Sequence, residues 1–169
     1  RSSDLYTTRP DTLFGATFMV LAPDHPIVNE IAQAVKRGVI NQYREQAASK
    51  EEKPDSREKT GVDIGARAIN PLTGAPIPIY IADYVMMGYG TGAIMAVPSG
   101  DHRDFEFATR FGLPVVCIID PDVENGKPED VSGIDDAAEL LKTPEGRARI
   151  REAVLAGKAA WSGPGKSIN

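Results

Sequence analysis

The sequence predicts a mixed α/β fold, a mixed β-sheet or partial β-barrel with flanking helices. Three observations predict it. Short apolar and β-branched runs recur along the chain. Other segments repeat their apolar residues at helical spacing between capping and stop signals. Strands and helices do not alternate with the regularity of βαβ units, so an all-parallel sheet is not expected.

Leu5-Tyr6-Thr7-Thr8 reads as a strand ending at Arg9-Pro10, because the residue before a proline is pushed out of the helical region. Thr17 to Ala22 reads as a second, buried strand. Asp24 is placed to cap a helix with Pro26 in its first turn. Ile27, Val28, Ile31, Ala32 and Val35 follow at helical spacing, and Gly38 reads as the stop. Ile40 to Ala48 continues as a helical stretch. Ser49 to Thr60 is dense in charge and lacks an apolar anchor, so it reads as an exposed loop. Its lysines and arginines suggest an RNA patch, but Glu51, Glu52, Asp55 and Glu58 are interleaved, which favours a solvated surface.

Val62 to Ile69, Ile77 to Ile81 and Gly92 to Val97 are strand-like, and Asn70-Pro71-Leu72-Thr73-Gly74 is a turn. Ser99-Gly100-Asp101 opens a helix over His102 to Phe111, with Phe105, Ala108 and Phe111 as its buried stripe and Gly112 as its end. Val115 to Ile119 reads as a buried strand. Helical patterns recur near Ile134 to Leu141 and Arg147 to Leu155, and Ser162 to Ser167 reads as a loop.

The 169 residues are 41% hydrophobic and 25% charged, ordinary values for one globular domain with a substantial core. The net charge of −5 argues against a protein that grips long stretches of nucleic-acid backbone, which calls for a basic excess. The single cysteine, Cys117, excludes an internal disulfide and reads as a small buried hydrophobe. His25 and His102 have no partners at metal-ligand spacing, so no zinc site and no cofactor are expected. No apolar run reaches the roughly 18 residues of a membrane helix and no signal peptide is visible, so no membrane association and a soluble, cytoplasmic setting are expected.

Gly88, Gly90 and Gly92 lack the strand–loop–helix order of a dinucleotide fingerprint. They read as a tight turn or a close backbone approach to a ligand. Gly165-Lys166-Ser167 ends like a P-loop, but the leading glycine of that motif is missing. Asp101 and Asp104 lie one helical turn apart. Asp101 fits an N-cap as well as a functional acid, and Asp104, beside the end of the Met95-Ala96-Val97 strand, suits a cationic group. Nothing in the sequence marks one of the two as held protonated, which weakens an acid/base pair. Thr7, Thr8 and Thr12 cluster around Pro10 and, taken alone, are strand residues plus a turn cap. No Ser-His-Asp order has supporting context.

Two segments, Tyr6-Thr7-Thr8-Arg9-Pro10-Asp11-Thr12-Leu13-Phe14-Gly15 and Gly88 through Phe105, together resemble the walls of the connective-peptide (connective peptide 1) editing site shared by leucyl-, valyl- and isoleucyl-tRNA synthetases. The chain is most similar to the bacterial-type leucyl member. Asp11, the run Met95-Ala96-Val97-Pro98, Lys59-Thr60-Gly61 and Ile79 to Val85 carry that similarity, which is strong from Leu5 to Pro121. The resemblance implies a single editing domain over residues 1–169, excised from a larger synthetase and without aminoacylation activity.

It implies hydrolysis of the ester of mischarged tRNA(Leu) carrying isoleucine, norvaline or methionine, with leucine spared. One methylene or methyl separates such ligands by only about 1–3 kcal/mol, so a second hydrolytic sieve is needed. The implied partners are the 3′-terminal adenosine of the tRNA, the remainder of the synthetase, and benzoxaborole–adenosine adducts. By the same resemblance Asp104 holds the substrate ammonium, and Thr7 and Thr8 bind the terminal ribose or the reacting water. Thr12 excludes leucine, Met95 and Val97 line the amino-acid pocket, and Tyr89 contacts the adenosine. Arg9 and Arg103 meet terminal phosphates or brace Asp104, with Asp101 beside them. The alternatives are a valyl editing domain acting on Thr-tRNA and a non-catalytic nucleoside-binding module.

Overall fold

A computed structural model describes residues 9–49, 59–88 and 90–168. The strand expected at Leu5–Thr8, and the loop expected beyond Ser49 up to residue 58, lie outside the described residues. The chain divides into two compact units. One is Phe18–Ala96, and the other is Arg9–Thr17 together with the chain from Val97 onward.

The first unit is a four-stranded mixed sheet. Its strands are β1 (Phe18–Leu21), β2 (Val62–Ile69), β3 (Pro76–Ile81) and β4 (Ala93–Ala96), in the order β2-β3-β1-β4. β1 pairs parallel with β3, Met19 opposite Ile79 and Leu21 opposite Ile81. It pairs antiparallel with β4, Phe18 opposite Ala96, while β2 and β3 are antiparallel. The helices α1 (Ile27–Ile31) and α2 (Arg37–Ser49) supply Val28, Ile40 and Tyr43 to a core shared with Leu21, Ile64, Ile79 and Ile81. Tyr43 Oη also accepts the Asp83 amide at 3.0 Å, tying α2 to the end of β3.

The helix predicted through Val35 to Gly38 is shorter than its periodicity. Ala32 leaves the helical region at ψ 138°, and Gln33 is recruited by β2. Its amide donates to Ile64 O at 3.0 Å and its Nε2 to Gly65 O at 2.7 Å. Gly65, at φ +80°, has the Gln33 side chain 2.6 Å from where a Cβ would stand, and the β2–β3 register shifts between Asp63 and Arg67. Gly38 therefore ends nothing; it sits in the first turn of α2.

The second unit carries α3 (His102–Phe111), α4 (Ala137–Leu140) and α5 (Pro144–Leu155). It also has two short antiparallel ladders, β5 (Ile119–Pro121) with β8 (Gly165–Ser167), and β6 (Val131–Ser132) with β7 (Ala160–Trp161). Ile150, Val154, Ala159 and Trp161 form its core, with Cys117, Ile119, Val131 and Leu140 packed on it. Thr143 caps α5 by accepting the Gly146 amide at 3.1 Å.

Two expectations fail here. Val115 to Ile118 is not a strand, since pairing starts only at Ile119, opposite Ser167. Val116 is 44% exposed, and Cys117 is half-buried with its thiol donating to Ile119 O at 3.1 Å. The loop expected at Ser162 to Ser167 instead turns into β8, because Pro164 O accepts both the Asp122 amide (2.9 Å) and the Trp161 indole N–H (2.7 Å). Among the described residues no helix is long and apolar enough to cross a membrane.

Candidate functional site

Most of the predicted site residues that are described fall in the second unit, on two segments. The first is a 3-10 helix, Pro10–Gly15, opened by a proline whose fixed φ suits a first helical turn. Arg9 O accepts both the Thr12 amide (3.1 Å) and the Thr12 hydroxyl (2.7 Å), which fixes the threonine rotamer. The Arg9 guanidinium grips Asp11 with two bonds, 2.9 and 3.1 Å, and this pairing holds the exposed Asp11 carboxyl below its usual range.

The second segment runs from Val97 into α3. Gly15 joins the two: a Cβ there would stand 2.6 Å from Ile118 Cγ2 and 3.2 Å from Val97 Cγ1, so only a glycine lets the Thr12 turn lie this close to Val97.

Asp101 is the N-cap of α3. Its Oδ1 accepts the Arg103 and Asp104 amides at 2.9 and 3.1 Å, and Arg103 Nε lies 3.8 Å from the same oxygen. The capping role expected of Asp101 is therefore realised. Arg103 is exposed and pairs with Asp101, not with Asp104.

Asp104 is 6% exposed. Its Oδ2 accepts the Val97 amide at 2.8 Å, and its Oδ1 makes no hydrogen bond with the described residues. Burial, and then the neighbouring Asp101 charge, push this carboxyl up to about 7. The Val97 bond and the Arg103 charge oppose that shift without cancelling it. No sequence signal marks a carboxyl held near neutrality, because the cause is burial and not residue type. Among the described residues the arrangement offers a nearly dry carboxyl with one oxygen anchored and one not hydrogen-bonded, which suits a cationic donor.

Val97 is buried at the foot of this helix. Met95 belongs to the first unit, half-buried on β4 opposite Met19. Thr7, Thr8 and Tyr89 lie outside the described residues.

Three polar residues carry no sequence signal for their roles. Thr17 Oγ1 and Ser99 Oγ are buried without a hydrogen-bond partner among the described residues. His102 is clamped between two hydroxyls, its Nδ1 against Ser132 Oγ and its Nε2 3.1 Å from Ser162 Oγ. Burial and long-range pairing single these residues out, and neither is written in local sequence.

A family model described as "Leucyl-tRNA synthetase, editing domain" matches residues 1–144. A leucine–tRNA ligase of Rhodopirellula baltica is 45% identical over 168 residues, covering 98% of this chain and 15% of that protein. One from Elusimicrobium minutum is 53% identical over 120 residues, covering 70% and 14%. In fold the chain is similar to the crystal structure of the ternary complex of Agrobacterium radiobacter K84 agnB2 LeuRS, tRNA and LeuAMS. The TM-score is 0.57 at 32% identity, covering 99% of this chain and 20% of that one. The chain thus spans between 14% and 20% of the length of these relatives.

Proposed function

Because the chain belongs to the family of leucyl-tRNA synthetase editing domains, we propose that it hydrolyses the ester of mischarged tRNA(Leu) as one domain of a larger synthetase, sparing the leucyl ester. The observation that carries this reading is Asp104, a carboxyl 6% exposed with Oδ2 anchored to the Val97 amide and Oδ1 without a hydrogen bond among the described residues. An aminoacyl ester differs from an uncharged 3′ end by its α-ammonium. A buried carboxylate recognises that group at about 1.5–3 kcal/mol per charge-assisted bond.

Once the ammonium is held, the ester carbonyl has a fixed position, and hydrolysis needs a placed water more than a protein nucleophile. Thr7 and Thr8 are assigned to the terminal ribose and that water, and Tyr89 to the adenosine. Met95 and Val97 are assigned to the side-chain pocket, and Arg9 and Arg103 to the terminal phosphates. Thr12, its rotamer fixed by Arg9 O, sets the limit on side-chain shape. A benzoxaborole adduct of the terminal adenosine would occupy the same position as the substrate.

The test is deacylation of Ile-tRNA(Leu) and Leu-tRNA(Leu) side by side, with this chain replacing the corresponding segment of a full-length leucine–tRNA ligase. Rapid loss of the isoleucyl ester alone is expected. Loss of neither ester, with adenosine adducts still bound, would leave a nucleoside-binding module instead.

A further inference from the structure

Four contacts converge on the start of α3. Ser99 O, on the loop entering the helix, accepts the Trp161 amide of β7 at 2.9 Å. His102, the first helical residue, meets Ser132 of β6 through Nδ1 and Ser162, just after β7, through Nε2. Phe105 packs into the space left by Gly133, where a Cβ would stand 2.7 Å from its Cε1. Ser162 is itself fixed, its amide donating to Asp130 O at 2.9 Å. Asp104 lies within this braced turn.

We propose that the β6–β7 ladder is a strut for the acid, and that His102, clamped by Ser132 and Ser162, is a positioning residue that fixes the direction in which the Asp104 carboxyl is presented. The functional half rests on the editing reading above, whereas the structural half does not. Ser132 and Gly133 lie within the family-model match, which ends at residue 144, and Trp161 and Ser162 lie beyond it.

A neutral imidazole donates through one nitrogen and accepts through the other, and a serine hydroxyl serves either role. A protonated ring donates to both hydroxyls. The clamp therefore closes in either state and works as a brace, not as a switch. Among the described residues the charged groups acting on Asp104 are Asp101 and Arg103, both at the start of α3. Neither changes when His102 is altered.

The test combines two readouts on His102→Ala, His102→Asn, His102→Gln and the Ser132→Ala/Ser162→Ala pair. In the 169-residue chain, carboxyl NMR follows the Asp104 titration. Loosening the turn admits water, so His102→Ala and the serine pair are expected to move its midpoint down toward the ordinary carboxylate range. Asn, which keeps a group near Nδ1, and Gln, which keeps one near Nε2, should hold most of the wild-type midpoint.

In the full-length ligase carrying this chain, kcat for Ile-tRNA(Leu) deacylation should fall roughly 10- to 100-fold in His102→Ala with little change in KM, the scale expected for a misplaced group. Asn or Gln should recover most of it. A drop in melting temperature with an unmoved Asp104 midpoint and an unmoved kcat would overturn the proposal. If His102→Ala fails to fold, the serine pair decides the matter on the same two readouts, because it removes both partners and keeps the ring. A shifted midpoint in a ligase whose wild-type form does not deacylate would keep the strut and reject the editing reading.

Discussion

Asp101 and Asp104 are joined through the helix backbone: Asp101 Oδ1 accepts the Asp104 amide at 3.1 Å, while the Asp104 carboxyl reaches back to the Val97 amide at 2.8 Å. One acid starts the helix and the other is aimed by it. Asp101 then acts on Asp104 in two separable ways, through geometry and through charge.

Asp101→Asn should separate them. Asn caps as well as Asp, so the melting temperature should hardly move, while loss of the neighbouring charge lowers the Asp104 pKa below about 7. Asp101→Ala should in addition cost about 1 kcal/mol of stability. Carboxyl NMR with thermal denaturation checks both, and an unmoved Asp104 titration in Asp101→Asn would leave burial as the whole cause.

The sign of the Asp104 shift fixes a pH dependence. Its folded pKa lies above the ordinary carboxylate value, so the folded state holds the proton more tightly than the unfolded state. That contribution is complete below about pH 4 and is lost as pH rises through 7. Asp104→Asn is free of this loss and should equal the wild type near pH 3.5. At pH 8.5 it should exceed it by on the order of 3 kcal/mol in urea denaturation. It should also abolish deacylation, and wild-type deacylation should fade as pH drops below about 7, because ammonium capture needs the carboxylate.

Thr12 offers a methyl and a hydroxyl, and the hydroxyl is already committed to Arg9 O at 2.7 Å. Exclusion of leucine should therefore depend on bulk. Thr12→Ala is expected to deacylate Leu-tRNA(Leu), Thr12→Ser to do so partly, and Thr12→Val to spare it at a cost of about 1 kcal/mol of stability. A leucyl ester that stays intact in Thr12→Ala would remove Thr12 from the specificity role.

Gly15 sets how close the Thr12 turn lies to Val97. Gly15→Ala forces the methyl to within 2.6 Å of Ile118 Cγ2, an overpacking worth about 1–3 kcal/mol. The turn should shift away from Val97. Activity should then fall by more than the stability loss explains, as read by kcat at a temperature where the variant remains folded.

The parts of the fold legible in the sequence are those whose signals are local. α3 runs over His102–Phe111 as predicted, because its cap and its Gly112 stop at φ +64° lie beside the segment. Its buried face, however, is Phe105, Phe107 and Ala108, with the expected Phe111 only half-buried. The illegible parts are decided at a distance. Gln33 leaves its helix for the backbone of β2, and Gly165–Ser167 becomes a strand because Ile119–Pro121 is there to pair with it. At the site, Asp104 is readable as an acid beside a strand end, but its near-neutral titration is not, since burial is a property of the packed chain. His102 reads in the sequence only as a poor zinc ligand, and its two serine partners are contributed by segments far along the chain.

Trp161 is the chain's one tryptophan. It is 1% exposed, its indole N–H bonds to Pro164 O at 2.7 Å, and Gly126 lies against its ring. An indole held this way emits as in a nonpolar solvent, and water reaching it shifts the emission to the red. The protein thus carries a built-in optical reporter confined to its C-terminal ladders. Their opening can be followed by fluorescence alone, without a label and without interference from any other indole in the chain.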